Sequence, residues 1–241
     1  MNTAQKIRDK ISSFEGGTAF TYDQMGIENE EYPAAAKAIE RMIAQKEIKR
    51  ISKGLFYKPR KSIFGDLKPN EEQLVKPYMY EGDRRIAYIT GLSLYNRMGL
   101  TTQVPNTITL ACNKKRINTE INNLKIKSVK SYVEPDEGNI RLLEILDAVK
   151  DFKKIPDMNT DEAINRLQDR FSTLDGDNRK KLIKYALQYP PRVRALLGAL
   201  LSDQQLSSDL SRLKKSLNPL SRYHFGAITD KLSTAPQWNI V

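Results

Sequence analysis

The 241 residues contain one cysteine, Cys112, one histidine, His224, and one tryptophan, Trp238. A lone thiol forms no internal disulfide, and with a single imidazole beside it the donor set of a structural zinc site is missing. Cys112 lies in the apolar run Thr107 to Cys112 and reads as a small buried hydrophobe, and His224, between Tyr223 and Phe225, reads as structural. Long hydrophobic runs are also lacking. The stretch Ala195 to Leu201 is broken by Gly198 and falls far below the roughly 20 residues of a membrane-spanning helix. Lys6, Arg8, Asp9 and Lys10 are followed by no apolar segment, so no secretory signal is expected and the chain is expected in the cytoplasm, away from membranes. Neither a P-loop nor a GxGxxG turn occurs.

Cations are plentiful. Lys and Arg number 40 against 29 Asp and Glu, a formal net charge of +11, which points to an anionic partner. The excess is spread along the chain, but its density peaks where Lys46, Lys49, Arg50, Lys53, Lys58, Arg60 and Lys61 fall within sixteen residues opposed only by Glu47. A basic run is commonly just a solvated face; its meaning depends on the elements that carry it.

Ala4, Ile7, Ile11 and Phe14 recur at spacings of three and four, the stripe of a short amphipathic helix that Gly16 and Gly17 end. Thr21 and Gln24 have the spacing of a capping box, which predicts a second short helix through Met25. Pro33 suits the first turn of a third, over Ala34 to Lys46. Ile48 to Ile51 and Leu55 to Lys58, joined across Gly54, read as a hairpin. Three helices followed by a hairpin predict a winged helix-turn-helix, in which the third helix enters the major groove and the wing follows the DNA backbone. Ile39, Met42 and Ile43 would then face the core, leaving Tyr32, Ala34, Lys37 and Arg41 toward DNA, with Lys49, Arg50, Lys53 and Lys58 on the wing.

The helix Ala34 to Lys46 with the following run Ile48-Lys49-Arg50-Ile51-Ser52-Lys53-Gly54-Leu55-Phe56-Tyr57 resembles the N-terminal winged helix of AbiEi-type antitoxins. The later block Ile89-Thr90-Gly91-Leu92-Ser93-Leu94-Tyr95-Asn96-Arg97-Met98-Gly99-Leu100-Thr101-Thr102-Gln103-Val104-Pro105, then Thr107-Ile108-Thr109-Leu110, is similar to the segment after the winged helix in that family. The resemblance covers roughly residues 1 to 135. It implies a type IV toxin–antitoxin role: an N-terminal module that binds and represses its own promoter as double-stranded DNA, and a remainder that neutralises a co-encoded toxin resembling nucleotidyltransferases.

The fold class expected is α+β, with a winged helix-turn-helix over residues 1–65, a small mixed α/β part over 71–135 and a helical part over 136–241. In the middle part, a helix is expected at Leu92 to Met98 and strands at Thr107 to Ala111 and Lys125 to Val133. Further on, apolar residues recur at helical spacing around Leu143, Leu167 and Leu182. Leu206, Leu210, Leu213, Leu217 and Leu220 form a two-heptad stripe interrupted by Pro219, read as an internal core face rather than a partner seam. Trp238 is expected to dock on its own domain.

Pro135-Asp136 and Asp151-Phe152-Lys153 spell a metal-dependent nuclease pattern, but Asp136 falls in a turn and Asp151 at a helix end, where the chemistry needs adjacent strand ends. Asp175-Gly176-Asp177-Asn178 lacks the remaining ligands of a calcium loop, and Asp177 reads as a helix N-cap. No catalytic residue, metal or cofactor is therefore expected. The alternatives to the antitoxin are a stand-alone winged-helix regulator and, more remotely, the nuclease.

Overall fold

The computed structural model describes residues 2–63, 65–67, 69, 71–121, 124–204, 210–226 and 228–241. The chain is mixed α+β and divides into two compact units, residues 1–87 with 117–126 and residues 88–116 with 127–241. Residue 135 lies inside the second unit. Among the described residues no helix is long and apolar enough to cross a membrane.

In the first unit, α1 (Thr3–Ser12) begins at Asn2, whose side chain accepts from the Ala4 N–H, and buries Ile7 and Ile11. β1 (Ala19–Thr21) follows, then a 3₁₀ turn over Tyr22–Met25 in which the Gln24 side chain accepts from the Thr21 N–H. α2 (Tyr32–Ala44) has Pro33 in its first turn and buries Ala35, Ala38, Ile39 and Met42, with Ile43 packed at the margin. β2 (Lys49–Ser52) and β3 (Leu55–Tyr57) form an antiparallel pair whose register shifts between Arg50 and Ser52. β1 pairs with the other edge of β3, giving the sheet order β1-β3-β2.

That third strand is absent from the sequence expectation: three residues are too few to show a two-residue period, and their partner is over thirty residues away. The helices and sheet enclose one core containing Ile7, Phe20, Ile39, Met42, Ile48 and Phe56. A polar hairpin of β4 (Arg60–Ser62) and β5 (Gly65–Leu67) comes next, then α3 (Glu71–Met79) and the short pair β6 (Tyr80–Glu81) and β7 (Arg84–Arg85).

The second unit opens within β8 (Ala87–Thr90), which leads into α4 (Leu92–Arg97) and β9 (Thr107–Cys112). β10 (Asn118–Ile121) and residues 124–126 of β11 (Leu124–Val129) belong to the first unit, and residues 127–129 of β11 to the second; the sheet order is β10-β11-β9-β8. β11 stops at Val129, short of the expected Val133, because Ser131 turns its hydroxyl onto the Val133 carbonyl at 2.6 Å. The remainder is helical: α5 (Ile140–Asp151), α6 (Thr160–Ser172), α7 (Gly176–Ala186), α8 (Pro191–Asp203) and α9 (Ser211–Lys215).

α8 is buried almost all round, and it forms the centre of a core that includes Leu143, Leu146, Leu167, Phe171, Leu182 and Leu197. α7 is capped by Asp175, which accepts from the Asn178 N–H at 2.7 Å. Asp177, the expected cap, instead sits in the first turn and reaches Lys180, because its own backbone is already helical.

The leucine stripe does not form one continuous face. Leu213 and Leu217 are buried and Leu210 packs at the margin, whereas Leu220 is 87% exposed beyond the end of α9; Leu206 lies outside the described residues. Trp238 is buried against α8, donating from Nε1 to Ser202 Oγ at 3.0 Å, with its ring filling the space over Gly198. Cys112 is buried on β9, and His224 is exposed.

Candidate nucleic-acid interface

In the first unit, burying Ala35, Ala38, Ile39 and Met42 fixes the roll of α2 and leaves Lys37 and Arg41 on its exposed side, four residues apart and therefore neighbours on one face. Tyr32, at the start of the helix, is 49% exposed and rests its ring 4.8 Å from that of Tyr22. Neither Lys37 nor Arg41 has an ion pair among the described residues, so both charges are available to an anion.

The four cations expected on the hairpin have different duties. Arg50 is exposed, its guanidinium lying 5.6 Å from the centre of the Phe56 ring, a platform that holds a planar cation in place without neutralising it. Lys53 is exposed in the turn beside Gly54 and has no ion pair among the described residues. Lys49 is bonded to Asp66 at 2.9 Å; that hydrogen bond raises the ammonium pKa and lowers the carboxyl pKa, so the pair stays ionised and its charges cancel. Lys58 donates to the carbonyls of Ser12 and Phe14 at 2.8 and 2.6 Å, capping the chain just beyond α1. Its distance from α1 in sequence hid this role. Glu47, the run's only acid, pairs with Arg8 at 3.5 Å rather than with the run.

The second unit holds a polar centre that the sequence reading did not single out. Asp147 on α5 is 2% exposed. One carboxylate oxygen, Oδ2, accepts from Tyr88 OH at 2.9 Å and Thr90 Oγ1 at 2.6 Å; the other, Oδ1, accepts from Lys150 Nζ at 2.9 Å and Tyr189 OH at 3.3 Å. Asp151, one turn on, accepts from Tyr95 OH at 2.7 Å and lies 3.5 Å from Lys150.

Burial and the neighbouring carboxylates push the tyrosine hydroxyls of Tyr88, Tyr95 and Tyr189 far above the ordinary phenol range, so they remain donors. Burial pulls Lys150 down, but Asp147 and Asp151 outweigh it and leave its pKa raised. The signal lay in the spacing: Ile140, Leu143 and Asp147 recur at intervals of three and four, placing a carboxylate on an otherwise apolar stripe.

Asp136, the first carboxylate of the nuclease spelling, accepts from the Gly138 N–H and Asn139 Nδ2, both at 2.8 Å, and so closes a turn. Lys153 is exposed in a 3₁₀ turn after α5. Among the described residues no three His, Cys, Asp or Glu side chains gather where they could hold a metal ion.

No curated protein matches this chain. A family model does, from residue 6 to residue 170, which takes in most of α1 through nearly the whole of α6 and therefore the basic hairpin and every member of the Asp147 centre except Tyr189. The chain belongs to that family, DUF6088, a family of unknown function.

Proposed function

We propose that the first unit is a winged helix-turn-helix that grips duplex DNA, and that the chain is an AbiEi-like antitoxin that represses its own promoter and counters a co-encoded nucleotidyltransferase-like toxin. The observation that carries the DNA reading is the arrangement of unneutralised cations on two exposed elements of one small core: Lys37 and Arg41 on α2, Arg50 and Lys53 on the β2–β3 hairpin. α2 would supply the groove-reading residues, with Tyr32 at its start, and the hairpin would supply phosphate contacts. The antitoxin half rests on the two sequence blocks that resemble AbiEi-type proteins, both of which fall inside the family match.

The test is equilibrium binding to the DNA upstream of its own gene and to a scrambled duplex across a salt series. A preference of about 10³-fold or more for its own DNA is the expected result. Replacing Arg50 and Lys53 together by Ala should weaken both complexes and flatten the slope of log K against log salt by roughly 2, since each phosphate contact contributes about 0.9. An unchanged slope would remove the hairpin from the interface. The antitoxin half is tested by co-expression with any co-transcribed nucleotidyltransferase-like gene: rescue of growth is expected, and failure to rescue favours a stand-alone regulator.

A further inference from the structure

Above the Asp147 centre, the second unit has a cavity of about 420 Å³, within the range of small-molecule sites. Its lining is chemically mixed. Lys130, Lys154 and Arg192 contribute cations, Asp151 the one carboxylate, and Val129, Tyr132 and Pro190 apolar surface. The fourth cation of the lining, Lys150, is already neutralised by Asp147 and Asp151. Lys130 and Lys154 have no ion pair among the described residues. Arg192 donates from Nη2 to the Lys150 carbonyl at 2.6 Å, which anchors the guanidinium while its other N–H groups remain for a ligand.

Tyr132 is 41% exposed yet held in place, its ring 4.5 Å from that of Tyr189 and with the Lys150 ammonium over it at 5.8 Å. A fixed, half-exposed ring offers a stacking surface. Gly91, also in the lining, has φ 68° and ψ −150°, a backbone conformation reserved to glycine, and a Cβ there would press on Thr109, another lining residue.

We propose that this cavity binds a nucleotide, with its phosphates on Lys130, Lys154 and Arg192 and its base against Tyr132. A bare anion would leave the ring and its apolar neighbours unused, and an uncharged aromatic ligand would leave three cations facing solvent. The site belongs to the second unit and shares no residue with the DNA surface assigned to the first.

Isothermal calorimetry of the full chain with ATP, GTP, inorganic phosphate and a short single-stranded oligonucleotide tests this. One mononucleotide per chain should bind with Kd below about 1 mM, at least tenfold more tightly than phosphate. Lys130→Ala with Lys154→Ala should weaken it at least tenfold, and Tyr132→Ala should weaken the nucleotide while leaving phosphate unchanged; native Trp238 emission shows that each variant is folded. Arg50→Ala with Lys53→Ala should leave nucleotide binding intact, which keeps this result independent of the DNA reading. Saturation by neither nucleotide, equal binding by the Lys130/Lys154 variant, phosphate binding as tightly as nucleotide, or an oligonucleotide preferred over both mononucleotides would each overturn the proposal.

Discussion

Replacing Asp147 by Asn removes one charge and one acceptor from the second unit without changing its shape. Each carboxylate oxygen serves two donors, Tyr88 and Thr90 on one and Lys150 and Tyr189 on the other. Whichever way the amide turns, its NH2 meets two donors that had an acceptor. Hydrogen bonds to a charged group contribute about 1.5–3 kcal/mol, and stripping a buried ammonium of its counterion costs about 3–5 kcal/mol. Lys150 keeps Asp151 at 3.5 Å, which softens the second cost. A loss of about 3 kcal/mol is therefore expected for Asp147→Asn, and about 5 kcal/mol for Asp147→Ala, which satisfies none of the donors.

Trp238 is the only tryptophan and is buried in the second unit, so its fluorescence during urea unfolding follows that unit specifically. With a slope of about 2 kcal/mol per molar urea, the Asn variant should unfold about 1.5 M earlier than wild type. Lys150→Met in the Asn background should cost less than in the wild type, because the ammonium it removes has already lost its counterion. A midpoint within about 0.3 M of wild type, or strict additivity of the two substitutions, would refute the view that Asp147 organises this core.

Alkali should act on the same centre. Tyr88, Tyr95 and Tyr189 have raised pKa values, so the folded state holds protons that the unfolded chain releases. Their contribution is complete below pH about 10 and is lost above it at about 1.4 kcal/mol per pH unit for each tyrosine. The phenolate absorbance of these tyrosines should appear only together with unfolding; smooth titration in a folded chain would contradict their burial. Gly198→Ala sets two effects against each other. Helix propensity favours Ala by about 0.5–1 kcal/mol, but the added methyl overlaps the Trp238 ring, so a net loss of about 2 kcal/mol and altered Trp emission are expected; a stabilised variant would show that the ring moves aside freely. Lys49→Ala should flatten the salt dependence of DNA binding much less than Arg50→Ala, because Asp66 already neutralises Lys49; equal effects would mean that the ion pair opens on binding.

What could be read in advance was local. Pro33 and the spacing of Ile39 and Met42 announce α2, and Gly54 between two β-branched and aromatic runs announces the β2–β3 pair. β1 and the β4–β5 hairpin escaped because one is three residues long and the other is exposed and polar, so neither has an alternating pattern to detect. The ends of elements depended on which of two suitable residues won, as with Asp175 over Asp177 at α7.

For the sites, charge density located the basic hairpin, but it could not separate Arg50 and Lys53 from Lys49 and Lys58, whose partners Asp66, Ser12 and Phe14 are brought close only by folding. The Asp147 centre draws on β8, α5 and the segment between α7 and α8, and no single window of sequence contains it.

The anchoring of Trp238 and Ile240 in the core that begins at Tyr88 has a consequence for biosynthesis. α8 is apolar on nearly every side, and Trp238 covers it at Gly198 and Ser202. Until Ile240 has left the ribosome, that helix has no cover there, so the nascent second unit passes through a stage with a sticky, unfinished surface, when chaperones and proteases have their best access to it.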